Sequence, residues 1–272
     1  MPKVSLDGTQ IWYEVVGEGP HLLQIGGAGF AHDNFASVLG EFSQHYSVID
    51  FDLRGYGNSD RPNQEYSMET WADDIANMLS QIGVAKTHVH GTSMGGMVAI
   101  KLASKYPELV DRLIIGCAAA KCDTTARMHF EQWKFIARAA GMGSKELASE
   151  ISTKALTREF LDTDAGKASI EQVRGMLERN CSVEVFSAAC DAMIHMDLCS
   201  ELSRIQSRTL VMDGDLDVLT PLDQGPEGAG NRFIADAIPN SELYIVEGCG
   251  HTNLVERPEE SIKVVREFLD RE

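Results

Sequence analysis

The sequence is short of positive charge: 24 Lys and Arg stand against 41 Asp and Glu in 272 residues, a formal charge of −17. A surface of that sign repels phosphate backbones and anionic membrane leaflets, so neither nucleic acid nor a lipid surface is expected as a partner. No apolar run is long enough to cross a bilayer. The opening residues, Met1-Pro2-Lys3-Val4-Ser5-Leu6-Asp7-Gly8, lack a basic segment followed by an apolar one, so no secretory signal is read. The six cysteines (Cys117, Cys122, Cys181, Cys190, Cys199, Cys249) include no C-x-x-C pair. They read as reduced thiols packed as small hydrophobes, and a cytoplasmic location is expected. Metal-binding spacings such as H-E-x-x-H are missing, as are G-x-G-x-x-G and G-x-x-x-x-G-K-[ST]. No metal, nucleotide or other cofactor is therefore expected.

What is present is ordinary globular material, with 43% hydrophobic residues and enough chain to bury one sizeable core. Val4-Ser5-Leu6 and Gln10 to Val16 read as strands joined by an Asp7-Gly8 turn. Short apolar strands follow at Leu22–Ile25, Tyr46–Phe51, Thr87–His90, Arg112–Cys117, Thr209–Met212 and Leu243–Val246. Between them, Trp71, Ile75, Met78, Leu79 and Ile82 keep helical spacing after a Ser67 entry, with Gly83 as the stop. Met94 to Tyr106 is a helix rich in small residues. Ile262, Val265, Phe268 and Leu269 mark a last amphipathic helix.

Residues 122–203 differ, with amphipathic helical patterns and no strand-like run. The alternation predicts an α/β chain with an eight-stranded, mostly parallel sheet covered on both faces. Its core comprises residues 1–121 and 204–272, with a helical cap, 122–203, inserted after the sixth strand. Trp133, Phe135, Met128 and Met193 are expected either to roof a pocket or to bury the cap on the core.

Gly91-Thr92-Ser93-Met94-Gly95 matches G-x-S-x-G. Alone the match is weak, roughly a one-in-ten chance event in a chain this long. Its position between an apolar strand and a helix is what a nucleophile elbow requires, with the serine at a helix N-terminus that favours developing negative charge. Ser93 is thus the candidate nucleophile. A serine hydroxyl needs a base to take its proton. His251 follows an apolar strand behind Gly248 and Gly250, late in the chain. His88 and His90 share one side of a buried strand and read as packing; His21, His32, His45, His129 and His195 are less well placed. The acid that orients the base should follow the Thr209–Met212 strand, where Asp217 is preferred and Asp215 competes. An oxyanion hole needs two converging amides, expected from Met94 and from Ala28 in the Gly26-Gly27-Ala28-Gly29 turn.

With these residues in place, the chain resembles the α/β-hydrolase superfamily along nearly its whole length. Phe51-Asp52-Leu53-Arg54-Gly55-Tyr56-Gly57-Asn58-Ser59-Asp60 resembles the family's F-D-x-R-G-x-G-x-S-D loop. His90-Gly91-Thr92-Ser93-Met94-Gly95-Gly96 resembles the elbow of small carboxylesterases and enol-lactonases. Gly250-His251 with Glu256-Arg257-Pro258-Glu259 resembles the segment around the family's catalytic histidine. Two positions depart: Gly26 stands where relatives often carry His, and Thr252 where carbon–carbon bond hydrolases tend to carry Trp. The resemblance implies hydrolysis of a small-molecule ester or lactone through an acyl-enzyme, with Ser93, His251 and Asp217 as a triad. The alternatives are a carbon–carbon bond hydrolase, hydroxynitrile lyase or cofactor-free perhydrolase, or a ligand sensor with slow single-turnover hydrolysis. Assembly into a homo-oligomer stays open.

Overall fold

A computed structural model describes residues 2–271. The chain opens with β1 (Lys3–Leu6) and β2 (Thr9–Val16), then β3 (His21–Ile25). A 3-10 turn, His32–Phe35, leads into α1 (Ala36–Phe42) and β4 (Ser47–Phe51). Next come α2 (Met68–Gln81), β5 (Thr87–Thr92), α3 (Met94–Lys105) and β6 (Val110–Gly116). Five helices follow without a strand: α4 (Thr124–Ala140), α5 (Lys145–Ala155), α6 (Arg158–Leu161), α7 (Asp164–Asn180) and α8 (Val183–His195). After a second 3-10 segment, Cys199–Arg204, the alternation resumes with β7 (Arg208–Gly214), α9 (Asn231–Ala237), β8 (Ser241–Val246), α10 (Asn253–Glu256) and α11 (Pro258–Leu269).

Local chemistry explains many of these boundaries. Asp7 and Gly8 both take positive φ, 48° and 83°, as the tight hairpin turn demands. Ser67 caps α2, accepting a hydrogen bond from the Thr70 amide at 3.0 Å. All five helices of the insertion open on a side-chain cap, Asp123, Ser144, Thr157, Thr163 and Ser182 in turn. Each such cap contributes about 1 kcal/mol, so the insertion's segmentation is written into its own residues.

The eight strands form one sheet in the order β1-β2-β4-β3-β5-β6-β7-β8. The pairs β1–β2 and β2–β4 are antiparallel, and every other pair is parallel. From β3 the chain steps to β4 on one side and then returns to β5 on the other. That reversal opens a crevice at the C-terminal ends of β3 and β5, where ligands settle in sheets of this type. One apolar cluster fills the face under α2, α3 and the insertion; a second fills the face under α1 and α11.

The insertion corrects one expectation. Trp133 and Met193 are buried, whereas Met128 and Phe135 lie on the outer side of α4, 67% and 72% exposed. α4 cannot turn all three of its residues toward the core, because Met128 and Phe135 stand two turns apart on one stripe and Trp133 on another, while Met193 is buried from α8. Among the described residues no helix is long and apolar enough to cross a membrane.

Candidate active site

Ser93 sits between β5 and α3 in a strained backbone conformation, φ 56° and ψ −124°. Its amide donates to the Gly116 carbonyl at 2.8 Å, which ties the turn to the end of β6. The flanking glycines are a steric necessity. A Cβ on Gly91 would run into the Gly95 carbonyl, and one on Gly95 into the carbonyl of Ile25. The tight turn therefore tolerates no side chain at either position, and the strained serine persists because its surroundings hold it.

The Gly26–Gly29 turn after β3 lies against this elbow: a Cβ on Gly27 would stand 3.3 Å from the Ser93 Cβ. Ala28 and Ser93 line one cavity, and Met94 opens α3 directly after Ser93. Neither the Ala28 nor the Met94 amide donates to another group among the described residues. Both stand at the crevice between β3 and β5.

His251 lines the same cavity. Its Nδ1 lies 2.8 Å from Asp217 Oδ2. Asp217 in turn accepts from the Leu219 and Thr220 amides at 2.7 and 3.2 Å, and from the Thr220 hydroxyl at 3.0 Å. Burial penalises the Asp217 carboxylate, but the adjoining imidazole, its hydrogen bond and the two amides outweigh that penalty. The carboxyl is held below its ordinary value. Asp215 points elsewhere, accepting from the Cys249 amide at 3.3 Å. Of the two aspartates, only Asp217 meets the imidazole. No hydrogen bond joins Ser93 to His251 among the described residues.

Three supports surround the His251–Asp217 pair, and two of them, Thr220 and Asn231, carry no signal in the motifs. Thr220 bridges Asp217 and the Cys117 carbonyl, which lies 2.9 Å from its hydroxyl oxygen and shares the single hydroxyl proton with the carboxylate. Asn231 donates to Asp213 at 2.8 Å and to the Thr220 carbonyl at 3.0 Å. Burial, with the Asp217 charge beside it, pushes the Asp213 carboxyl well above the usual range. Glu256 accepts from the Gly250 amide at 2.9 Å and from the Thr157 amide at 3.0 Å. It thereby fastens the histidine loop to the insertion, and the His251 amide adds a bond to Ala155 at 2.8 Å. Glu256 is legible as a motif residue; its partner Thr157, 99 residues distant, is not.

The F-D-x-R-G loop has a structural use. Asp52 accepts from the His32 and Asn58 amides at 2.8 and 2.7 Å, and Arg54 grips Asp74 with two nitrogens. Potential metal ligands among the described residues reduce to Cys117, Asp217 and His251, within 4.8 Å of one another. Burial pushes the Cys117 thiol well above its ordinary value.

The cavity measures about 380 Å³. The core supplies Ala28, Ser93 and His251, and the insertion supplies Trp133, Ile151 and Met193. That size suits a small molecule.

The comparisons agree with this architecture. The model for the alpha/beta hydrolase fold family matches residues 20–258. A proline iminopeptidase of Lactobacillus helveticus is 26% identical, over 99% of this chain and 97% of the relative. A pimeloyl-[acyl-carrier protein] methyl ester esterase of Aeromonas salmonicida is 26% identical, over 94% of this chain and 98% of the relative. The crystal structure of the enol-lactonase from Burkholderia xenovorans LB400 superposes with a TM-score of 0.88 at 23% identity, covering 99% of this chain and 100% of that one. The chain belongs to the α/β-hydrolase fold family.

Proposed function

We propose that the protein is a serine hydrolase that cleaves a carboxylic ester or lactone of a small molecule through an acyl-enzyme. Ser93 Oγ attacks the carbonyl carbon while His251 takes its proton. Asp217 holds the imidazole in the tautomer that leaves Nε2 free to accept, and it stabilises the imidazolium that forms. The amides of Ala28 and Met94 receive the oxyanion. His251 passes the proton to the departing alkoxide, the C–O bond breaks, and the alcohol leaves. The same imidazole then deprotonates water, which attacks the acyl carbon; the proton returns to Ser93 as the acid departs.

The observation that carries this reading is the 2.8 Å contact of His251 Nδ1 with a buried Asp217, in a histidine that shares a cavity with the strained Ser93. The missing Ser93–His251 hydrogen bond is compatible with it, because such bonds lengthen in empty sites and tighten around substrate. The methyl ester esterase among the relatives supports ester chemistry.

The test is turnover of p-nitrophenyl butyrate. Ser93→Ala should lower kcat by at least about a thousandfold. Unchanged turnover in the folded variant removes Ser93 from the reaction. A fluorophosphonate should label Ser93 in the wild type, and repeated turnovers after a burst separate an enzyme from a single-turnover sensor.

A further inference from the structure

The wall of the cavity beside Ser93 contains only two ionisable side chains among the described residues, Asp33 and His251, and no Lys or Arg. Both are already engaged. Asp33 accepts from Asn180 Nδ2 at 2.7 Å and from Arg179 at 3.2 Å, and His251 is held by Asp217. The rest of the wall is apolar, with Phe30, Val173 and Met176 beside the residues named above, or neutral and polar, as at Ser169 and Gln172. Three buried polar atoms belonging to this wall, Trp133 Nε1, Ser152 Oγ and Thr252 Oγ1, have no hydrogen-bond partner, and all three belong to uncharged groups.

We infer that the site selects uncharged substrates: esters or lactones whose acyl part is apolar or carries only neutral oxygen functions. Acyl groups bearing a carboxylate or an ammonium are rejected. The inference rests on the hydrolase reading above and narrows it. A carboxylate entering this cavity gives up its water and finds no cation in the wall. It also faces Asp33 and a chain of formal charge −17. Desolvating an ion without a partner opposes binding strongly. An ammonium fares little better, since the one wall carboxylate outside the His251–Asp217 pair is taken by Asn180 and Arg179. A neutral chain meets neither penalty and gains from burying apolar surface.

The experiment compares three p-nitrophenyl esters of matched length near neutral pH: the hexanoate, the adipate half-ester and the aminohexanoate. Each is corrected for its rate with Ser93→Ala. The hexanoate should exceed both charged esters in kcat/KM by about a hundredfold or more. Ser93-dependent turnover of either charged ester within about fivefold of the hexanoate overturns the inference and leaves the hydrolase reading standing. Failure of the wild type to exceed Ser93→Ala on every ester overturns the hydrolase reading, and the selectivity falls with it.

Discussion

Asp217 takes part in four hydrogen bonds, one to the imidazole and three from Leu219 and Thr220, and that crowding separates it from Asp215 two residues earlier. The Leu219 and Thr220 amides and the Thr220 hydroxyl fix the carboxylate plane, leaving Oδ2 directed at His251 Nδ1. Replacing Asp217 by Asn presents an amide that favours the wrong tautomer. Asp217→Asn should reduce kcat on p-nitrophenyl butyrate by about a thousandfold or more, while Asp215→Asn stays within about twofold. Equal losses in the two variants contradict the assignment of the acid. Thr220→Val keeps the side-chain volume and removes the hydroxyl. It should lower kcat by about tenfold with KM little changed, because it disturbs a positioning contact and not the binding wall. At this scale the elbow was legible, since its glycines are demanded by backbone contacts within one short turn and with β3. The supports from Thr220 and Asn231 were not, because their partners come from distant stretches of chain.

The central strands carry a buried polar row on the face under α1. Gln24 on β3 pairs in register with His90 on β5, and Asp50 on β4 lies one residue beyond the Ile49–Leu23 pair. All three side chains are buried, and atoms of each lack a hydrogen-bond partner. Burial pushes the Asp50 carboxyl up to about 7 and the His90 imidazole down to about 4. The two act on stability in opposite senses. Asp50 keeps its proton in the folded chain while the unfolded chain loses it near 3.8, so its favourable contribution declines as pH rises from there to about 7. His90 stays neutral in the folded chain while the unfolded chain binds a proton below 6.5, so its contribution is lost as pH falls from 6.5 toward about 4. In urea titrations, Asp50→Asn should therefore gain stability relative to the wild type as pH rises through that window. The gain should reach on the order of 4 kcal/mol and level off above it. A difference that does not vary with pH contradicts an elevated Asp50. The strands themselves were readable from their apolar runs. This polar row was not, because adjacency across β4, β3 and β5 depends on a strand order that sequence order does not reveal.

Across the whole molecule, the helical insertion and the sheet share one apolar cluster. Phe130, Leu177 and Phe186 belong to the same cluster as Ile25, Trp71 and Met97. A Cβ on Gly29 would collide with Leu177 and crowd Phe186, so the turn beside Ser93 is pressed directly against the insertion. Polar ties reinforce this contact at Glu256–Thr157 and at His251–Ala155. The insertion should therefore not melt ahead of the sheet. Urea unfolding followed by far-ultraviolet and near-ultraviolet circular dichroism should give coincident single transitions; two separated midpoints contradict a shared core. Glu256→Ala leaves the buried Gly250 amide and the half-buried Thr157 amide without this partner. It should destabilise the protein by about 2–3 kcal/mol and lower kcat, because the loop that carries His251 loses its tether.

Local patterns were enough for the hairpin turn, the alternation of strands and helices, the elbow and the late histidine. Each depends on residues close together in the chain, whose steric and hydrogen-bonding demands show in their order. Three-dimensional packing decided which aspartate meets His251, that Trp133 and Met193 turn inward while Met128 and Phe135 face water, and that the cavity wall carries no cation. Those outcomes depend on contacts between segments tens to more than a hundred residues apart. Such contacts exist only once the sheet order and the seating of the insertion have brought the segments together.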